Sequence, residues 1–407
     1  MKISTLLERE PFVKIFEKTL SSFLAAWTGI PHTVEWLGAD SFSESSKCHQ
    51  TWYCNPLINS IFVKGVDQSV FESINGEYAH NPMKPWRSKI QRLYLVLSQS
   101  PLCSIVLSKY RLRVSPPVEL ATKKLIVGGN TKLRLIDVDN NKVYVLLKDG
   151  FDHKYMEREL YVRTEFPYMP APRIIDFGEK LSWYSEEYIV GQPPNRFEKS
   201  IGVKVLAQAV KSLHRMLGET KRSVGLIEYL DVLEAQIYIG MNKSSYLKAK
   251  TASEIENIVR SLKKFLKKYK RQDITLAHCH GDFHQGNILS NGENYWVLDW
   301  EYSGEKQIGY DLVILLLETR IESGFASRFI RLLEGKLDNS EMMLAQDWPG
   351  FSWTKESRLM HLMVFLLEDL IFHIEESANP LFYKKADLQD ARFDEFGKIV
   401  AYLQTFN

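Results

Sequence analysis

The sequence predicts an α+β chain: a mainly antiparallel sheet carrying one helix, then a long helical region, with a further segment in front. Three observations carry this expectation. Between residues 124 and 148, three short apolar runs (Leu125-Ile126-Val127, Leu133 to Val138, Val143 to Leu147) are separated by Gly128-Gly129-Asn130 and Asp139-Asn140-Asn141, the turn chemistry of a strand meander. Beyond Gly191-Gln192-Pro193-Pro194, apolar residues recur at helical spacing. The length of 407 residues exceeds the roughly 250 to 300 at which one core stops growing, so more than one structural unit is expected.

Taken in order, residues 1–117 open with an amphipathic stretch, Phe12, Val13, Ile15, Phe16, Leu20, Phe23, Leu24 and Trp27, at helical spacing. Residues 40–90 are rich in Ser, Asn, Trp and Tyr without sustained periodicity, and regular apolar patterns resume at 90–97 and 104–114. Pro116-Pro117 then breaks the chain, which sets 1–117 apart as an N-terminal module. Residues 118–190 hold the meander, a helix at 153–165, a stretch with Pro167, Pro170 and Pro172, and short strands at 174–177 and 183–190. Residues 191–407 predict helices at 200–217, 226–240, 252–269, 309–333, 355–377 and 386–405.

Composition narrows the function classes. Lysine and arginine total 52 against 50 acidic residues, a formal charge of +2, so no long-range field steers nucleic acid or an anionic membrane toward the chain. The basic run from Lys263 to Arg271 carries its Leu and Tyr at helical spacing and reads as a solvated helix face. Four cysteines without a CxxC pair argue against a disulfide framework or a structural zinc site. The N-terminus turns charged at once and no stretch of 18 uninterrupted apolar residues occurs, so a soluble, cytoplasmic protein is expected.

One segment stands apart: His280-Gly281-Asp282-Phe283-His284-Gln285-Gly286-Asn287, followed by Ile288-Leu289, Asn291-Gly292-Glu293-Asn294, Tyr295 to Leu298 and Asp299-Trp300-Glu301. The two apolar runs around Asn291 to Asn294 predict a hairpin. A turn centred between Gly292 and Glu293 sets Asn287 opposite Leu298, beside Asp299. An amide and a carboxylate at the open end suit Mg²⁺, which takes one or two carboxylates together with substrate phosphates. Asp282, five residues before Asn287, would point to the same place as a base or as a group that orients a hydroxyl.

This pattern resembles the catalytic core of the aminoglycoside phosphotransferase and choline kinase family, relatives of the protein kinases. The match is His-x-Asp, four residues, Asn, then Asp on the next strand, with Gly281 where protein kinases have Arg and Asp299-Trp300-Glu301 in place of Asp-Phe-Gly. The resemblance implies a bilobal protein-kinase-like fold, with an antiparallel sheet N-lobe (118–190), a hinge and a helical C-lobe (191–407). It makes Asp282 the catalytic base, Asn287 and Asp299 the Mg²⁺ ligands, His280 a brace of the loop and Asp311, in Gly309-Tyr310-Asp311-Leu312, its support.

By the same resemblance, Gly128 and Gly129 cover the ATP phosphates, although a plain hairpin turn explains them equally well. Lys148 binds those phosphates, with Glu159 as its helix partner and Glu157 as the alternative. The backbone of Glu187, Tyr188 and Ile189 meets the adenine edge. His284 either donates to substrate or bonds the backbone, and Glu301 either touches a cationic substrate or bounds the cleft. Cys279, on an apolar approach, reads as a buried inert thiol and His214 as a packed structural histidine.

The reaction so implied moves the γ-phosphoryl group of ATP, with Mg²⁺, to a hydroxyl of a small molecule: an amino sugar, a sugar or a choline-like alcohol. Glu368, Asp369, Glu375 and Glu376 are acids that could receive a cationic acceptor, with solvated helix faces the simpler explanation. Neither nucleic acid nor a membrane is an expected partner. The alternatives are a catalytically weak nucleotide-binding scaffold acting through 1–117, a protein kinase, and an AMP transferase.

Overall fold

A computed structural model describes residues 2–38, 45–71, 85–100, 103–244, 247, 249–318, 324–382 and 386–405. The chain divides into two units. The first comprises residues 1–161, 170–205 and 288–301, and the second 162–169, 206–287 and 302–407.

The first unit is organised by one antiparallel sheet. Its strands are β1 (Thr33–Leu37), β2 (Gln50–Asn55), β3 (Ser60–Val63), β4 (Tyr110–Ser115), β5 (Lys124–Gly128), β6 (Lys132–Asp137), β7 (Lys142–Leu147), β8 (Ile174–Phe177) and β9 (Trp183–Glu187), in the order β1-β4-β2-β3-β5-β6-β7-β9-β8. The predicted meander is β5, β6 and β7. The segment before Pro116 adds four more strands to the same sheet, joined through Ser60↔Val127 and Ile61↔Ile126. Two of them, β2 and β3, escape a periodicity search because they do not alternate: all four residues of β3 are buried and β2 is buried at Thr51, Trp52, Cys54 and Asn55.

Two N-terminal helices, α1 (Ile3–Arg9) and α2 (Phe12–Thr28), cover one face of this sheet. Phe12, Phe16, Leu20, Phe23 and Leu24 of α2 share a core with Leu133 and Leu135 of β6 and Tyr144 and Leu146 of β7. Side chains alternate between the two faces of a strand. Lys148, in step with Tyr144 and Leu146, therefore lies on the α2 side. Lys132 and Arg134, out of step with Leu133 and Leu135, lie on the opposite side. The helix Lys154–Glu165 sits close to its predicted limits and supplies Glu159 to that second face.

The hairpin of β12 (Ile288–Ser290) and β13 (Tyr295–Val297) belongs to this first unit. Its register pairs Ile288 with Val297 and Ser290 with Tyr295, which centres the turn between Gly292 and Glu293 as expected. Gly292 takes φ 96°, and Asn291 Oδ1 accepts from the N–H groups of Glu293 and Asn294.

The second unit is mainly helical around a small antiparallel sheet, β10 (Arg222–Gly225), β11 (Asp273–Cys279) and β14 (Gly304–Gln307), ordered β10-β11-β14. Helices Leu226–Lys243, Ala249–Leu266 and Lys355–Ser377 follow the predicted pattern within a few residues. The single helix expected over 309–333 is two, Tyr310–Leu317 and Phe325–Leu333. Glu318 caps the first in the left-handed region (φ 44°) and Gly324 (φ 74°) precedes the second. A helix absent from the sequence reading, Asn339–Gln346, starts on a capping box of Asp338 and Glu341.

Candidate functional site

The candidate residues divide between the two units. In the second, β11 delivers the chain into His280-Gly281-Asp282, and Asp311 at the start of the helix Tyr310–Leu317 holds that turn. Its two carboxylate oxygens accept from the backbone N–H of His280 (2.7 Å) and of Gly281 (2.9 Å). Asp311 is fully buried, and burial pushes its pKa up to about 6 although both N–H groups favour its charge. Gly281 adopts φ 82°, and a Cβ there would run into the Tyr302 carbonyl, so glycine is required where protein kinases carry arginine.

His280 is buried, packs edge-on against Phe283, and accepts through Nδ1 from the Asp282 N–H at 3.2 Å. Asn287 then reaches back five residues: its Nδ2 donates to the Asp282 carbonyl at 2.9 Å and to Asp282 Oδ2 at 3.2 Å. The base candidate and the amide candidate are thus locked to each other by one side chain. With Nδ2 committed to Asp282, Oδ1 is the atom Asn287 offers a cation. His284 accepts through Nδ1 from the Gly286 N–H at 2.9 Å, which places its own proton on Nε2, 3.7 Å from Asp282 Oδ2. Cys279 is buried, donates to the Gln307 carbonyl, and has its pKa pushed well up by burial, the profile of an inert thiol. His214 packs edge-on against Trp348.

In the first unit, the loop between β5 and β6 is held by the N-terminal segment. Asn59 donates to the Gly128 carbonyl at 2.9 Å and accepts from the Ile3 N–H at 3.0 Å, while Arg9 donates to both the carbonyl and the side chain of Asn130. A Cβ on Gly128 would press on Asn59, Ile3 and Leu6, and one on Gly129 would press on the Lys132 carbonyl. Both glycines are therefore demanded by close packing. None of Arg9, Glu10 and Asn59 carries a motif that sequence reasoning could use.

The pair expected between Lys148 and Glu159 is replaced by two separate pairs. Lys148 is bonded to Glu10, donates to the Gly129 carbonyl at 3.3 Å and lies over the rings of Phe12 and Phe151. Burial lowers its pKa to about 8 against the pull of Glu10. Glu159 instead accepts from Lys132 Nζ at 3.0 Å. The same ammonium lies 3.1 Å from Glu301 Oε2 and 4.0 Å from Asp299 Oδ1. Burial disfavours its charge, yet Glu159, Glu301, Tyr184 and Asp299 together outweigh that and hold its pKa well above the ordinary lysine value.

Arg134, next along the same face of β6, is paired with Asp299. Asp299 sits in the left-handed region (φ 59°), which a short polar side chain tolerates, and so turns the chain directly after β13. Glu301 is buried and also bonded by the Thr131 hydroxyl, so its carboxylate is engaged within the sheet unit.

Between these strands and the helical region, the N–H groups of Glu187 and Tyr188 donate to the carbonyls of Arg173 and Asn141. These bonds engage N–H groups only, whereas the expected adenine contacts are backbone groups of either kind from Glu187, Tyr188 and Ile189. The C-terminal acids also differ from expectation. Glu368 and Asp369 are buried rather than solvated. Asp369 is paired with Arg392 and His373, which outweigh burial and lower its pKa. Glu368 accepts from the Tyr229 hydroxyl and the Gln307 N–H, and Glu376 from the Tyr302 hydroxyl.

Burial raises the pKa of Glu368 from 4.5 to about 7. The folded protein therefore binds a proton that the unfolded chain releases, so this contribution to stability is complete below pH ~4.5 and lost as pH rises through ~7. In urea titrations, Glu368→Gln is expected to flatten the fall in stability between pH 5 and 8 by an amount on the order of 3 kcal/mol. An unchanged slope would show that the carboxyl is ionised throughout.

Among the described residues, no group of three or more His, Cys, Asp or Glu side chains is placed to hold a metal by protein alone. Asn287, in the second unit, and Asp299, in the first, each carry a hard oxygen donor, the type that Mg²⁺ takes.

Residues 154–350 match the phosphotransferase enzyme family. The resemblance read from the catalytic segment and the independent family match fall on the same stretch of chain. Three solved structures are similar to the chain. Choline kinase LicA from Streptococcus pneumoniae has a TM-score of 0.44 at 16% identity over 70% of this chain and 92% of that one. A Plasmodium vivax ethanolamine kinase has 0.45 at 12%, covering 82% and 94%. An aminoglycoside phosphotransferase from Streptomyces rimosus has 0.39 at 17%, covering 60% and 92%. No curated protein matches the sequence. None of the described helices is long and apolar enough to cross a membrane.

Proposed function

We propose that this protein transfers the γ-phosphoryl group of ATP to a hydroxyl of a small molecule, an amino sugar, a sugar or a choline-like alcohol. The observation that carries the reading is the loop in which Asn287 binds both the carbonyl and the carboxylate of Asp282 while Asp311 holds the turn behind them, within the stretch that matches the phosphotransferase family. Phosphoryl transfer asks a protein mainly for positioning and charge neutralisation.

Each residue then has a task. Asp282 accepts the proton of the acceptor hydroxyl as it attacks phosphorus, and the Asn287 amide keeps its carboxylate aimed. Asn287 and Asp299 would hold Mg²⁺, which when bound neutralises charge on the transferring phosphates. Gly128 and Gly129 line the phosphates with backbone, and backbone groups of Glu187, Tyr188 and Ile189 meet the adenine edge. Glu368 and Asp369 are buried, whereas Glu375 is exposed and Glu376 half-buried toward the end of the same helix, and these two are the acids nearer solvent for a cationic acceptor.

The direct test is ADP release from ATP and Mg²⁺ with amino sugars, choline-like alcohols and plain sugars offered one by one, with the phosphorylated product identified by mass. One acceptor is expected to raise ADP release at least tenfold over the rate without acceptor. Absence of product from every hydroxyl compound, with nucleotide still bound, would favour a nucleotide-binding scaffold instead.

A further inference from the structure

Resting on the phosphotransferase reading, we infer that the cation that meets the nucleotide phosphates is Lys132 of β6, with Arg134 beside it, and that Lys148 is a structural lysine of the opposite face.

Strand parity decides the matter first. The face of β6 and β7 that carries Leu133, Leu135, Tyr144 and Leu146 is sealed by α2, and Lys148 is in step with it. Its ammonium is consumed there by Glu10 and the Gly129 carbonyl, under the rings of Phe12 and Phe151. A lysine so placed anchors the N-terminal segment against the sheet. Lys132 leaves the same glycine turn on the other face, one residue past Thr131, where Glu159 and Asp299 also lie.

Charge is the second argument. Lys132 and Arg134 confront three carboxylates, Glu159, Glu301 and Asp299, with Lys132 Nζ within 4.0 Å of an oxygen of each. In protein kinases the lysine that serves the phosphates is held by a carboxylate on the neighbouring helix, and the phosphates it meets are bridged by a metal whose ligands stand close by. Lys132 meets both conditions and Lys148 meets neither. The family match begins at Lys154, after both lysines, so it does not choose between them.

The test compares the affinity for Mg-ATP with that for adenosine, by calorimetry on the full chain, because the ratio isolates what the phosphates contribute. Lys132→Met is expected to weaken Mg-ATP at least tenfold with adenosine changed less than twofold, and Lys148→Met to change both less than threefold. Lys132→Met strands buried carboxylates, so Lys132→Met/Glu301→Gln, which removes one of them with the cation, is measured alongside and is expected to lose the same phosphate increment. Lys132→Arg, which keeps the charge, is expected to recover most of it. Loss confined to Lys148→Met, or equal losses in both single variants, overturns the assignment while leaving the phosphotransferase reading intact. A wild-type chain that binds ATP no better than adenosine overturns both.

Discussion

Asp282→Asn is expected to lower the rate of the proposed phosphoryl transfer by about 10² to 10⁴, the range a positioned general base supplies, with Mg-ATP affinity within about threefold of wild type. The reason lies in the local geometry. Asparagine has the shape of aspartate and its amide oxygen can still accept from Asn287 Nδ2, so the loop pinned by Asp311 keeps its form. What disappears is an oxygen basic enough to take the acceptor's proton. Steady-state kinetics with the acceptor found by the screen, combined with nucleotide titration, checks both halves. Turnover within threefold of wild type removes Asp282 as the base, and a matching loss of nucleotide affinity would recast it as a positioning group.

Asp299→Asn has the next largest effect, and through a different quantity. The ratio of nucleotide affinity with and without Mg²⁺ is expected to collapse toward one, and phosphoryl transfer to fall by at least about a hundredfold, because the charge that a carboxylate-held metal neutralises is worth several kcal/mol at the transition state. A smaller stability loss accompanies it. Arg134 loses its partner and Lys132 loses one of three carboxylates. Since the Arg134 and Asp299 side chains are both about 30% exposed, that pair contributes on the order of 1 kcal/mol or less. An unchanged Mg²⁺ dependence would take Asp299 out of the metal site.

The two substitutions touch features with different visibility in the sequence. The Asp282 loop and the hairpin after it are short-range structures. A turn centred between Gly292 and Glu293 follows from residue types that stabilise tight turns, and the register Ile288↔Val297 follows from the turn. The helix Lys154–Glu165 and strands β5, β6 and β7 are legible for the same reason. Strands β1 to β4 are not. Burial in β2 and β3 does not alternate, and although it does in β4, the long-range pairings β3 to β5 and β1 to β4 join residues far apart in sequence. The break at Pro116-Pro117 marks the end of β4, and the sheet continues on its other side.

Sequence alone determined which residue types stand at which spacing: His280, Gly281, Asp282, Asn287 and Asp299 in one block, with glycines ahead of a strand-end lysine. It also determined that Glu159 lies on a helix after that strand. It could not say which lysine Glu159 meets. In Val143 to Leu147 every residue is apolar, so no alternation reports which face is which, and a shift of one position exchanges the two sides of a strand. Tertiary packing removed that degeneracy. α2 covers the side of Tyr144 and Leu146, and Glu10 claims Lys148 from 138 residues away in the chain. Lys132, whose place in the sequence signals nothing, then stands between Glu159, Glu301 and Asp299, because burying one ammonium among several carboxylates costs far less than burying any of them alone.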